Sequence, residues 1–102
     1  VVKAVGGSLH VLPLDDVAYL EAQDRYTIVH SIEDRFTVRA CLAAMEGRLD
    51  ERFLRIGRSF SVNILHVKSF EKNELILFGG QTIPVPIRTA AQLREEFLRR
   101  ME

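Results

Sequence analysis

The chain of 102 residues carries 14 basic and 14 acidic side chains, so its formal net charge is zero, and 47% of its residues are apolar, as in a soluble globular protein. This length favours one domain over residues 1–102, and the absence of an 18-residue apolar run or of a signal-like N-terminus argues against membrane insertion and secretion. The single cysteine, Cys41, excludes a disulfide or a cysteine zinc cluster within these residues. We therefore expect a cytoplasmic protein.

Short strands are predicted first along the chain. Apolar residues at 9–14 predict a strand that ends near Pro13, and residues 17–21 predict a second strand after an acidic turn. Residues 25–31 are rich in β-branched and aromatic side chains, which favours a strand, and residues 36–38 follow as its hairpin partner.

The pattern then changes to a helical one. Leu42, Met45 and Leu49 lie on one face of a predicted short amphipathic helix, which begins at Cys41. A cysteine at the start of a helix can be a reactive thiol, but we favour a small buried residue. A short strand ending at Ile56 and a bend at Gly57 follow.

The last third of the chain predicts a hairpin, an edge strand and a helix. The hairpin joins residues 66–71 to residues 74–78, and a tight turn at Gly79–Gly80 follows. In the next strand the apolar residues Ile83, Val85 and Ile87 alternate with prolines. The apolar residues are expected to face inward, and the prolines confine the strand to a sheet edge. A capping box at Thr89 and Gln92 predicts the final helix, residues 89–101. Its inward face would carry Ala90, Leu93, Phe97 and Met101.

The neutral total can hide a basic face, because the charges are unevenly distributed. Eleven of the 14 basic residues are arginines, and no acid occurs between Arg52 and Phe70. Some arginines have acidic neighbours at helical spacing, as in the expected pairs Glu95–Arg99 and Glu96–Arg100. No local role is evident for Arg55, Arg58 and Arg88. Arg25 is intermediate between the two groups, because the preceding Asp24 can serve as its local partner.

Enzyme motifs are absent from the sequence. It contains no nucleophile elbow, phosphate loop or dinucleotide fingerprint, and the three histidines, His10, His30 and His66, lie far apart. The adjacent Asp15 and Asp16 are read as a turn, not as a catalytic pair. We therefore expect no catalysis, no metal and no cofactor.

The arginines without local partners point to a different chemistry. A guanidinium group offers a rigid fork of donors that fits phosphate oxygens or the O6 and N7 atoms of guanine. Arg25, Arg58 and Arg88 are all predicted at junctions between elements, where side chains project from a rigid scaffold. Tyr26 either adds a contact beside Arg25 or is half-buried on its strand.

Three segments together resemble the LytTR-type DNA-binding domain: LDDVAYLEAQDRYTIVHS, LDERFLRIGRSFSVN and IPVPIR. The resemblance runs from about residue 9 to residue 93, and its most specific part is RFLRIGRSFSVN. Within that part Phe53, Phe60 and Val62 are expected in the core, and Asn63 is expected to tie down a turn.

The resemblance implies a mainly β fold, an elongated stack of small antiparallel sheets with one short α-helix and a C-terminal helix. It also implies sequence-specific binding of double-stranded DNA by loops that enter successive major grooves. The family supplies output domains of bacterial response regulators in two-component systems. We therefore expect a linked sensor or receiver domain upstream, and a dimer on DNA at promoter sites with repeated half-sites.

Carried over by position, the resemblance predicts the contact residues. The first reading loop is Asp24-Arg25-Tyr26; Arg58 and Ser59 would meet phosphate, and Arg88 would reach a base edge. Lys72 and Asn73, at a hairpin tip, are weaker candidates for backbone contact.

The chain departs from the family pattern in two places. Arg25 stands where the family often has asparagine, so this loop is expected to read a different sequence. Pro86 and Ile87 stand where serine and a basic residue are usual, which weakens the expected grip on phosphate.

Two alternatives stay open besides an enzyme fragment. The domain could be a small β module that docks a protein through its edge strand or C-terminal helix. Alternatively, a DNA-binding domain could pair two copies through that helix.

Overall fold

The computed structural model describes residues 2–101, and of Lys3 only the main chain. Ten strands and two α-helices are connected by short turns, three of which are 3₁₀ turns at Leu14–Asp16, Ile64–His66 and Ile87–Thr89. In chain order the elements are β1 Val2–Lys3, β2 Leu9–His10, β3 Val17–Gln23, β4 Tyr26–Ser31, β5 Arg35–Val38, α1 Leu42–Glu46, β6 Phe53–Ile56, β7 Phe60–Asn63, β8 Val67–Phe70, β9 Glu74–Leu77, β10 Thr82–Pro84 and α2 Ala90–Met101.

The strands form three antiparallel sheets. The largest has the order β5-β4-β3-β7-β6, a three-stranded sheet has the order β10-β9-β8, and β1 pairs with β2. The domain measures 40 × 23 × 23 Å. The predicted fold class, an elongated mainly β stack with one short helix and a C-terminal helix, is therefore confirmed.

Both faces of the five-stranded sheet are covered, because successive side chains of a strand point to opposite faces. Leu20 of β3 belongs to a cluster with α1, which includes Leu42 and Met45. The neighbouring Tyr19 belongs to a second cluster with the three-stranded sheet, against which α2 packs. The predicted core residues Phe53 and Val62 are buried, and Phe60 is half-buried.

Asn63 holds the end of β7 in place, as predicted. Its side chain is fully buried, and Nδ2 donates to the carbonyl oxygens of Leu14 and Val17 at 3.2 and 3.0 Å. Its Oδ1 accepts from the amide of Leu65 at 3.0 Å and caps the following 3₁₀ turn. One asparagine thus joins the turn after β7 to the chain segment of residues 14–17, which lies more than 45 residues away in the sequence.

Helix α2 packs against the core through Ala90, Leu93 and Phe97, as predicted. Its last turn is fixed by Arg100, whose Nη1 donates to the carbonyl oxygen of Phe53 at 2.8 Å, at the start of β6. The predicted inward position of Met101 is wrong, because Met101 is exposed beyond this contact.

Other local predictions are wrong for identifiable reasons. The strand expected over 9–14 is only Leu9–His10, because the chain leaves the sheet before the 3₁₀ turn. Cys41 is exposed, since it lies just before α1 and not within its buried face. Arg99 pairs with Glu96 instead of Glu95.

The edge position of the proline-bearing strand is confirmed, but its length is not. β10 lies at the edge of its sheet and ends at Pro84. Ile83 and Val85 are buried, whereas Ile87 is 78% exposed, because the alternation ends where the chain enters the 3₁₀ turn at Ile87–Thr89. Thr89 lies in that turn, and its hydroxyl approaches the Pro86 carbonyl oxygen at 3.5 Å, so the predicted capping box is wrong.

Candidate nucleic-acid interface

The turn between β3 and β4 carries the first predicted reading loop. Gln23 pairs with Tyr26, which leaves a two-residue turn of Asp24 and Arg25. Asp24 has a φ of 56°, in the left-handed region that aspartate tolerates better than most residues. The turn is therefore tight, and the exposed Arg25 side chain projects from a fixed position.

Tyr26 begins β4 and is 36% exposed, so its ring is not buried in the core. The guanidinium carbon of Arg39 lies 5.9 Å from the centre of the ring, within the range of a cation–π contact. Arg39 thus places a further cation beside the first loop. No sequence pattern indicates this contact, because it depends on the pairing of Thr27 with Val38, which brings β5 alongside.

The turn between β6 and β7 carries Arg58 and Ser59, both exposed. Ile56 pairs with Phe60, so the turn is three residues long and begins at Gly57, whose φ is +61°. A Cβ atom at Gly57 would lie 3.2 Å from Cγ of Pro86. Glycine is therefore favoured here both by the backbone conformation and by the close approach of another loop.

Arg55 braces this turn, which corrects the expectation that it lacks a local role. Its Nε donates to the Gly57 carbonyl oxygen at 3.0 Å, and Nη2 donates to the Arg58 carbonyl oxygen at 3.1 Å. Its Nη1 also forms an ion pair with Glu46 on α1. Arg55 thus fixes the main chain of the turn, while the Arg58 side chain stays available.

The third predicted contact, Arg88, lies in the 3₁₀ turn between β10 and α2 and is exposed. Pro86 precedes this turn and packs against Gly57. Lys72 and Asn73 form the turn between β8 and β9, and both are exposed. The Asn73 carbonyl oxygen accepts from the amide of Val85 at 2.8 Å, so this turn adjoins the end of β10.

These turns form a continuous series, which we call the loop row: residues 24–26, 57–59, 86–88 and 72–73. The Ala22 amide donates to the Ser59 carbonyl oxygen at 2.7 Å, which joins the first two turns. Pro86 joins the second to the third, and the bond from Val85 to Asn73 joins the third to the fourth. All the predicted site residues therefore belong to neighbouring turns.

The loop row is rich in cations without partners. Within residues 2–101, no ion pair or hydrogen bond involves the side chains of Arg25, Arg58, Lys72 or Arg88. Several acids elsewhere are neutralised: Glu46 by Arg55, and Asp15 and Asp50 by Arg52. The pKa of Asp50 is held below its ordinary value by hydrogen bonds from Arg52, chiefly the one from the Arg52 main-chain amide. Asp24 is the one acid of the row itself, so the row has a positive balance.

The three histidines have separate local roles. His10 stacks on Phe36, and His30 stacks on Tyr19 with Nε2 3.0 Å from a Glu21 carboxylate oxygen. The ring of His66 bonds the carbonyl oxygen of Asp15. Within the part of the chain that the structure describes, no three metal-ligating side chains converge, and no helix is long and apolar enough to span a membrane.

A scaffold of small sheets that presents a row of cationic turns fits the class of DNA-binding domains. Comparison with protein families supports this class: residues 7–97 match the family described as the LytTr DNA-binding domain. The chain therefore belongs to the LytTR family of DNA-binding domains, as its resemblance predicted. The family is described by DNA binding.

Related proteins agree with this assignment. The CO-responsive transcriptional regulator RcoM of Rhodospirillum rubrum is 39% identical over 83 residues, which cover 76% of this chain and 35% of that protein. The sensory transduction protein LytT of Bacillus subtilis is 30% identical over 98 residues, 90% of this chain and 41% of that protein. The chain thus spans less than half the length of these relatives.

A solved structure shares the fold. The LytTr DNA-binding domain of a response regulator from Bacillus cereus is 32% identical, with a TM-score of 0.77, over 93% of this chain and 92% of that one. The predicted match over residues 9–93 falls inside the range that the family comparison gives.

Proposed function

We propose that the loop row binds double-stranded DNA in a sequence-specific manner, and that the domain is the output module of a bacterial transcription regulator. The observation that carries this proposal is the placement of four exposed cations, none with a partner within residues 2–101, on adjoining turns of a β scaffold. Membership of a DNA-binding family supports the same ligand. The scaffold supplies position, and the arginines and the lysine supply affinity.

Phosphate contacts would set the register of the domain on DNA. Arg58 offers a guanidinium fork, and the hydroxyl of Ser59 offers a neutral donor on the same turn. Lys72 and Asn73 would contact the backbone further along the row. Each neutralised phosphate releases counterions, so binding is expected to weaken steeply as salt increases.

Base contacts would supply the specificity. Arg25 and Arg88 lie at the tips of turns, where a guanidinium fork can reach O6 and N7 of guanine in the major groove. Tyr26 would add a polar or stacking contact beside Arg25, and Asp24 would orient the first loop. Arg25 in place of the usual asparagine is expected to change the base preference of this loop.

Preorganisation is the contribution of the scaffold. A flexible loop must lose conformational freedom when it binds, and this loss weakens affinity. Arg55 fixes two carbonyl oxygens of the second turn, and Pro86 lies close to Gly57 of the same turn. The cations of the row therefore need to order only their own side chains.

The dimensions of the domain suit more than one groove of DNA. Its longest dimension, 40 Å, slightly exceeds one turn of B-DNA, about 34 Å. We propose that the loops enter successive major grooves on one side of the duplex. Two copies bound at repeated half-sites would double the contact surface at a promoter.

The rest of the regulator is also part of the proposal. The two curated relatives are described as a CO-responsive transcriptional regulator and a sensory transduction protein, and each is more than twice as long as their shared segment. We propose a sensor or receiver domain linked upstream and a cytoplasmic location. The alternative of protein docking through α2 has less support, because Ala90, Leu93 and Phe97 already pack against the domain's own core.

The test is selection from a random duplex library by the wild-type domain and by a variant with Arg25, Arg58 and Arg88 all changed to alanine. The wild type is expected to enrich one sequence motif, and the variant none. Arg99→Ala is the matched control, because Arg99 is an exposed arginine on α2 outside the loop row. Failure of the wild type to enrich any motif, or equal enrichment by the variant, would contradict the proposal.

A further inference from the structure

A second surface lies at the ends of the strands opposite to the loop row. Here the turn after β4, the 3₁₀ turn Ile64–His66 and the turn after β9 come together. Ile32, Leu65 and Phe78 line one groove between these turns. They are 62%, 57% and 69% exposed. Single exposed apolar residues are ordinary, but three large ones in one groove are typical of an interaction site.

The main chain beneath these side chains is fixed. The Ile32 amide donates to the Asp16 carbonyl oxygen at 3.0 Å, and the Phe78 amide donates to the His66 carbonyl oxygen at 2.9 Å. The Leu65 amide is held by the side chain of Asn63. The apolar part of the groove is therefore preformed, which lowers the cost of ordering on binding.

The groove continues past Ile32 and Gln81 into an acidic part lined by Glu33 and Asp34. The Ser31 hydroxyl donates to the Asp34 carboxylate at 2.9 Å and leaves its charge in place. Within residues 2–101 no lysine or arginine pairs with either acid, and Arg35 is the one arginine or lysine that lines this part. The balance of charge here is negative, the reverse of the loop row.

Gln81 lies where the apolar and acidic parts meet. Among the residues that the structure describes, its Oε1 is the one buried side-chain oxygen or nitrogen without a hydrogen-bond partner. A buried acceptor without a donor is costly, but this oxygen is shielded from solvent and therefore equally from a bound segment.

We infer that this apolar–acidic groove binds a segment of another protein, one that places a large apolar side chain against Ile32, Leu65 and Phe78 and a lysine or arginine against Glu33 and Asp34. Because the groove and the loop row lie at opposite ends of the strands, the domain can hold this segment and DNA together. The groove thus links the DNA-bound regulator to a partner with a basic and apolar surface.

A second copy of the chain is the weaker occupant. It does present an apolar residue beside a cation, at Ile87 and Arg88. These residues belong to the loop row, however, and are covered when that copy is bound to DNA. A groove filled in this way would empty when both copies bind DNA.

The test uses a phage library of random dodecapeptides, panned against the wild-type domain bound to its selected duplex, with counter-selection against Phe78→Ser. The expected result is a motif that combines a large apolar residue with lysine or arginine. A synthetic peptide of that motif should bind the wild type and bind Phe78→Ser and Glu33→Gln about tenfold more weakly. Leu98→Ser is the matched control, because Leu98 is an exposed leucine on α2 outside the groove, and it should bind the peptide normally.

Nuclear magnetic resonance on the labelled domain then locates the peptide. Amide shifts should concentrate at Ile32, Leu65, Phe78 and Gln81 and should leave the loop row unchanged. An absent or acidic motif, equal binding by Phe78→Ser, or self-association of the DNA-free domain that Phe78→Ser abolishes would overturn the inference. DNA affinity is measured separately on each variant, so failure of the groove leaves the DNA-binding proposal intact.

Discussion

The two ends of the strands differ in chemistry, although both are built from short turns. In the part of the chain that the structure describes, the loop row presents Arg25, Arg58 and Arg88 without acidic partners, whereas the opposite end presents three apolar side chains beside Glu33 and Asp34. A formal net charge of zero is therefore the sum of two unlike surfaces and says little about the ligand of either one. The order of the strands decides which turns become neighbours, and this order converts scattered residues into surfaces.

Among the substitutions that test this contrast, Arg88→Ala is expected to have the largest effect on DNA binding. Loss of a bidentate contact with guanine should weaken binding to the selected site by about 1–3 kcal/mol and flatten the preference at one base pair. Fluorescence anisotropy with the selected duplex and its single-base variants measures both quantities. Unchanged affinity for the selected site would remove Arg88 from the reading surface.

Gly57→Ala is expected to disturb the support of the loop row. A side chain at a φ of +61° is strained, and its Cβ would press on Pro86, so we expect a loss of about 1–2 kcal/mol in the free energy of unfolding, with weaker DNA binding. Urea unfolding measures the free energy of unfolding, and fluorescence anisotropy measures the DNA affinity. Gly47→Ala is the matched control, because Gly47 has a helical φ of −63°, and it should retain or gain stability. Equal behaviour of the two variants would show that the turn is not constrained.

A smaller effect is expected from Ile87→Lys, which makes the loop row more basic. The new cation should gain about 0.5 kcal/mol of DNA affinity at low salt and steepen the salt dependence by about one phosphate contact. Leu98→Lys adds the same charge on α2, outside the row, and should change neither quantity. If both substitutions strengthen binding equally, the general charge of the domain, and not the loop row, determines affinity.

The smallest expected effect is on the stability of the fold at acid pH. It involves Glu96 of α2, which lies outside both surfaces. The hydrogen bond from Arg100 holds the pKa of Glu96 below its ordinary value. Ionised Glu96 therefore stabilises the folded state above about pH 4.3, and this contribution is lost as the pH falls through the folded pKa. Urea midpoints at pH 6 and below pH 4 should differ less in Glu96→Gln than in the wild type. An identical difference in the two proteins would contradict this role.

Much of the fold could be predicted from the sequence, because local patterns and the family resemblance agree. Period-two alternation and turn residues located most strands, and Asn63 was correctly expected to fix a turn. The predicted inward positions of Ile87 and Met101 are wrong, because the regular sequence pattern continues past the end of the element that supports it. Alternation in a sequence does not reveal where a strand stops pairing.

The candidate site was only partly predictable. The resemblance supplied the residues of the loop row, but neither composition nor spacing showed that Pro86 meets Gly57 or that Asn73 meets Val85. Arg55 was grouped with the arginines that have no local role, because its partners are two carbonyl oxygens and a glutamate nine residues away. No sequence pattern marks the groove at the opposite end, since its residues come from three separate turns.

The salt dependence of DNA binding tests the central claim most directly. Affinities for the selected duplex are measured over a range of salt concentrations for the wild type, Arg58→Ala and Arg99→Ala. Arg58→Ala should weaken binding to all sequences similarly and make the logarithmic salt slope shallower by about 0.9, as expected for one lost phosphate contact, while Arg99→Ala should match the wild type. A wild-type affinity insensitive to salt, or equal slopes for the two variants, would contradict the assignment of the loop row as the DNA-binding surface.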